Sequence, residues 1–119
     1  MSHSIKWLEF PEAHDYPAAK SYLTLHFHEE IAESLVERLF AAEMSHFAAK
    51  DVLRASGLIP LDKSNNHVRH NLEKIAKGTP LSPVLLVRSD ARLYIADGFH
   101  RCCAVHLLDE DALIPAKIV

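Results

Sequence analysis

Leu93-Tyr94-Ile95-Ala96-Asp97-Gly98-Phe99-His100-Arg101-Cys102-Cys103-Ala104 decides the fold. Its first four residues are apolar around a β-branched centre, a strand signature, and from Phe99 to Leu108 the apolar positions return at helical spacing. Asp97-Gly98 between them supplies residue types suited to a sharp change of backbone direction. The stretch therefore predicts strand, turn and helix. Upstream, Pro83-Val84-Leu85-Leu86-Val87 is a second apolar run, and the turn-like Ser89-Asp90-Ala91 predicts an antiparallel hairpin. Downstream, Asp109-Glu110-Asp111 interrupts the helix and Ile114 to Val119 reads as a last strand.

The N-terminal part, 16–57, reads as helical. Ile31, Leu35 and Leu39 recur at helical spacing, followed by Phe47, Val52 and Leu53, with no glycine before Gly57. The expected helices run from Pro17 through Tyr22 and Leu25, over 28–42, and over 45–56 with Ser45 as N-cap and Gly57 as the stop. Pro60, Asp62, Ser64, Asn65 and Asn66 make a loop, and Asn66 is expected to cap a short helix through His70, Leu72 and Ile75, closed by Gly78. No repeat or linker divides the chain, so 1–119 reads as a single α/β (α+β) domain. Its helical N-terminal half packs on a small mixed sheet in the core 66–119.

Composition excludes several classes. With 49% hydrophobic and 24% charged residues the chain is not of the disordered type. Its formal net charge of -3 gives no general attraction to nucleic acid or anionic lipid. No apolar run is long enough to span a bilayer, and the N-terminus lacks a secretory pattern, so a cytoplasmic location is expected. The two cysteines, Cys102 and Cys103, are adjacent on an expected helix and form no disulfide framework.

The candidate site is the turn 97–101. A helix N-terminus leaves backbone N–H groups without partners and carries the positive end of the helix dipole, so it favours anions. Gly98 lets a ligand approach the backbone, Arg101 can grip phosphate oxygens, and His100 can donate or transfer a proton. The plain alternative is that Asp97 caps the helix, Gly98 makes the turn, and His100 and Arg101 are solvated. A cation in a first helical turn is unfavourable against the dipole, which points Arg101 toward an anionic or carboxylate partner.

Ser82-Pro83-Val84-Leu85-Leu86-Val87, then Leu93 to Ala104, then Ile114-Pro115-Ala116-Lys117-Ile118-Val119, taken with the short helix before them, resemble the ParB/sulfiredoxin-like superfamily. The resemblance covers roughly the C-terminal half. It implies a nucleotide site, with ATP, ADP or CTP and Mg2+, whose phosphates lie on Gly98, His100 and Arg101. It also implies phosphoryl transfer or nucleotide hydrolysis, with Asp97 as base or metal-positioning group and His100 in proton transfer. Phe99 occupies the position where sulfiredoxin-like chemistry needs a cysteine, so that activity is not expected. The segments a DNA-partitioning protein carries beyond this core are not in the sequence, so nucleic acid is not the expected partner.

Other residues carry weaker expectations. The nine histidines, among them His26 with His28, His67 with His70, and His100 with His106, show no strong metal-ligand spacing, and no metal is assigned. Glu29 and Glu30 suit a first helical turn. The segments 45–57 and 66–78 are too far apart for a helix-turn-helix. Lys63, Arg69, Lys74 and Lys77 put positive charge near the turn or form a solvated face. The sequence thus supports a phosphate-bearing small-molecule ligand. The alternative is a non-enzymatic nucleotide-sensing or protein-binding module whose N-terminal helices meet a partner.

Overall fold

The computed structural model describes residues 4–119. In chain order these form α1 (Asp15–Leu23), α2 (Glu29–Ala41), β1 (Met44–Ala48), α3 (Ala49–Ser56), α4 (Asn66–Lys77), β2 (Val84–Val87), β3 (Tyr94–Asp97), α5 (Phe99–Leu108) and β4 (Leu113–Ile118). The four strands make one mixed sheet in the order β1-β4-β2-β3. β2 and β3 are the antiparallel hairpin expected from the sequence, with a bulge between Leu85 and Leu86. β4 runs parallel to β2 and antiparallel to β1. The α+β class follows from these elements.

β2 shows why its sequence is continuously apolar. Successive side chains of a strand point to opposite faces, and both faces of this sheet are covered. Val84 and Leu86 join Val52, Leu53, Val68, Ile75, Cys102, Val105 and Ile114 in the larger core under α3, α4 and α5. Leu85 and Val87 join Ala19, Leu23, Ala32 and Leu39 under α1 and α2. The N-terminal helices therefore belong to the packed body, each burying one stripe. On their side of β4, Lys117 is buried; its Nζ donates to the Phe40 carbonyl at 2.6 Å and lies over the Phe40 and Tyr16 rings.

Three sequence expectations need correction. The segment read as one helix, 45–56, divides: Met44–Ala48 is a strand and only Ala49–Ser56 is helical. Ser45 is paired in the sheet with Ala116 instead of capping a helix. α1 begins at Asp15, ahead of Pro17, which falls in the opening turn where its missing N–H costs nothing, and it ends at Leu23. The N-cap of α4 is Asn65, not Asn66; the Asn65 side chain accepts from the His67 and Val68 N–H groups. Gly57 and Gly78 end α3 and α4 in left-handed conformations, as expected. No helix among the described residues is long and apolar enough to cross a membrane.

Candidate functional site

β3 ends at Asp97 and α5 opens at Phe99, so Gly98 makes the whole change of direction. Its φ is 106°, outside the range open to ordinary L-residues, and a Cβ there would lie 2.4 Å from Val84 Cγ1 and 2.8 Å from Arg101 Nη2. Glycine is required both by backbone conformation and by close packing. Gly98 is also the N-cap, and no side chain caps α5. The expectation that Asp97 caps the helix is corrected: its Oδ2 accepts from Arg101 Nη2 at 2.7 Å, four residues further on.

The Asp97–Arg101 pair is mostly buried, with side chains 17% and 16% exposed. Burial pushes the Asp97 carboxyl above the usual carboxylate range, and the Arg101 guanidinium beside it opposes that shift without cancelling it. Arg101 Nε is buried and has no hydrogen-bond acceptor among the described residues. A buried N–H without an acceptor costs about 1–3 kcal/mol, so the guanidinium is incompletely satisfied by the protein.

α4 supplies the rest. Val68, Leu72 and Ile75 turn its apolar stripe to the core. The adjoining stripe carries His67, His70, Asn71 and Lys74, which with Asp97, Gly98, Phe99, His100 and Arg101 line a cavity of about 250 Å3. The His67 and His100 ring centroids are 4.8 Å apart. Partial burial, reinforced by neighbouring His67, lowers the His100 pKa below its ordinary value.

All four residues singled out at the turn, Asp97, Gly98, His100 and Arg101, thus border one cavity. His67 and His70, expected from the sequence to be surface histidines, are exposed and border this cavity; Asn71 was not singled out. The available signal was their spacing with Lys74 at 67, 70, 71 and 74, one stripe of a helix. Of the basic residues named near the turn, Lys74 alone lines the cavity; Arg69 instead bonds to Asn66 and the Lys63 carbonyl.

Other features are chemically poorer. A larger cavity, about 440 Å3, lies between α3 and the β2–β3 turn, lined by Phe47, Val52, Leu86, Leu93 and Ile118 with Arg88 at its rim. Its charged residues, Asp51, Arg88, Asp90 and Arg92, are exposed and two of each sign, so they build no single-sign site. Cys102 and Cys103 are buried; burial pushes the Cys102 thiol up to about 12, so it stays protonated and unreactive near neutrality. Glu12, His14 and Asp15 form the one group of potential metal ligands among the described residues, away from the cavity lining. Within the cavity the single carboxylate is Asp97, already bound to Arg101. That donor set suits an anion. Comparison with protein-family models, with curated proteins and with solved structures finds no match for this chain.

Proposed function

We propose that the chain binds a phosphate-bearing small molecule, with a nucleotide as the first candidate, in the cavity between α4 and the start of α5. The observation that carries this reading is the convergence of Lys74, His67 and His70 from one helix with Gly98, His100 and Arg101 from the next. Backbone N–H groups of the first turn of α5, the Lys74 ammonium and the positive charge of Arg101 are the complement of phosphate oxygens. The resemblance to ParB/sulfiredoxin-like proteins supports the same turn as the phosphate contact.

Between turnover and binding alone, the fate of Asp97 favours binding. A general base needs a free carboxylate within reach of a substrate hydroxyl, and Asp97 is held by Arg101. The protein therefore acts as a nucleotide-sensing module in this reading. Exposed Leu25, Ile31 and Phe40 on the α1–α2 side give such a module apolar surface for a protein partner.

Thermal unfolding with ATP, ADP, CTP, GTP or inorganic phosphate, each with and without magnesium, tests the reading. A ligand at 100 times its Kd stabilises the native state by about 2.7 kcal/mol. One of these ligands is expected to raise the Tm of the wild type, but not that of Lys74→Ala or Arg101→Ala. Lys74 is only half-buried, so its variant keeps the fold if Arg101→Ala does not. A ligand that stabilises folded Lys74→Ala and wild type equally, or no stabilising ligand at all, overturns the assignment. Nucleotide turnover that is lost in Asp97→Asn overturns the preference for binding alone.

A further inference from the structure

Resting on the phosphate-site reading, we propose that the cavity takes the terminal group of a phosphomonoester as its dianion, together with one proton held by the His67–His100 pair. Size restricts the ligand class first. Pockets that enclose a drug-sized ligand usually span about 300–1,000 Å3. A half-open cavity of about 250 Å3 admits a phosphoryl end and leaves the bulk of a larger molecule outside. Specificity therefore lies in the charge and protonation of that end.

Charge restricts it next. Lys74 and Arg101 bring two positive charges to the lining and Asp97 one negative charge, leaving a net of one positive against a dianion carrying two negatives. One more proton closes the difference. The histidines are its natural holders. With ring centroids 4.8 Å apart, His67 and His100 oppose a second proton on the pair, so the pair takes one.

Of the other charged groups around His100, Lys74, Arg101 and Asp97 are already counted, and His70 is a third imidazole of the lining with no ring contact to His100. From α4 it faces His67, with His70 and Lys74 in the same lining; from its own segment, Asp97 and Arg101. α3 and β2 meet α5 through apolar Val52, Leu53 and Val84, while Lys50 and Arg54 of α3 gather near His106 at the far end of the helix. Without an anion, burial and His67 hold His100 unprotonated near neutral pH, so the proton arrives with the ligand. A transition metal on the histidines is the competing use of the cavity; the cations of Lys74 and Arg101 in the same lining disfavour it.

Calorimetry with sulfate, a dianion that does not titrate near neutrality, and phenyl phosphate, a simple phosphomonoester, tests the proposal in buffers of differing ionisation heat at about pH 7.5. Wild type is expected to take up close to one proton per anion, and by linkage its affinity should rise about tenfold per unit of falling pH just above neutrality. In His67→Asn and His100→Asn the uptake should fall to less than half. Imidazole NMR of the wild type, independent of any variant, should show a His67 or His100 pKa rising on saturation with sulfate. Anion binding without proton uptake, or with uptake unchanged in both variants, overturns this proposal and leaves the phosphate site standing. Failure of sulfate, phosphate, phenyl phosphate and every nucleotide to bind overturns both.

Discussion

Two buried carboxylates, Asp15 and Asp97, sit in contrasting surroundings. Asp15, at the start of α1, is 1% exposed, and its Oδ2 accepts from the Ser82 hydroxyl and from the Glu12 N–H. Its Oδ1 lies 3.4 Å from His14 Nε2, and the Ser82 contact ties α1 to the entry of β2. Asp97 is 17% exposed, paired with a charged side chain whose Nε finds no acceptor, and borders a cavity. The first junction is complete within the protein. The second leaves the buried Arg101 Nε without an acceptor among the described residues, in a side chain that also lines a cavity, a loose end that a purely structural junction avoids. Burial and charge alone do not separate the two; satisfaction does.

The largest effect expected from breaking this contrast lies at the hinge of the open junction. Gly98→Ala places a Cβ in a backbone conformation that alanine rarely adopts and against Val84 and Arg101. Backbone strain and overpacking together should cost about 3 kcal/mol or more. Gly57→Ala has a similar sign of φ but nothing within 4 Å of the new Cβ, so about 1 kcal/mol is expected. Denaturant unfolding of both variants reads the difference, and equal costs would remove close packing from the account of Gly98.

The next effects compare the junctions directly. Asp15→Ala leaves the Ser82 hydroxyl and the Glu12 N–H only their longer bonds, to the Pro83 carbonyl at 3.4 Å and to Ser82 Oγ at 3.3 Å, and should cost about 1–2 kcal/mol, with phosphate affinity unchanged in the folded variant. Removing one partner of the open junction, as in Arg101→Met, leaves a buried carboxylate alone and should also destabilise. Adding Asp97→Asn should recover most of that loss, because a neutral replacement of a buried pair is often near neutral for stability. Phosphate binding should stay lost in the double variant. If Asp15→Ala folds and no longer binds phosphate, or if the double variant binds as wild type does, the division into a structural and a functional junction is wrong.

How much of this was legible in the sequence depended on distance along the chain. The β2–β3 hairpin and α5 were read from adjacent residues, because compact apolar runs, the turn residues Ser89-Asp90-Ala91 and helical spacing are local signals. β1 was not. Met44-Ser45-His46-Phe47-Ala48 contains no β-branched residue and is a strand through its pairing with β4, far along the chain. The Asp15 junction was hidden for the same reason: Ser82 lies 67 residues away. Asp97 and Arg101 were singled out, yet their bond to each other was not foreseen, since the choice between capping and pairing is settled by the depth at which β3 buries the turn. The contribution of α4 needed the packing of α4 on α5, although the stripe of His67, His70, Asn71 and Lys74 was present in the spacing.

The smallest expected effect is also the most specific to the open junction. His100 has a pKa lowered from 6.5 in the folded state, so the unfolded chain binds the proton more readily. Its contribution to stability is therefore fully present above pH 6.5 and is lost as pH falls through the lowered folded value. Asp97, raised from 3.8, has the opposite sign: the native state holds its proton more tightly, and its contribution is lost as pH rises through the raised value. Stability measured from pH 8 down to 4 should accordingly show two opposed slopes from this one cavity, a decline below about 6.5 that His100→Asn flattens and a rise at lower pH that Asp97→Asn flattens. Saturating sulfate should reverse the His100 slope, because an anion in the cavity makes the protonated imidazole the favoured form in the folded state.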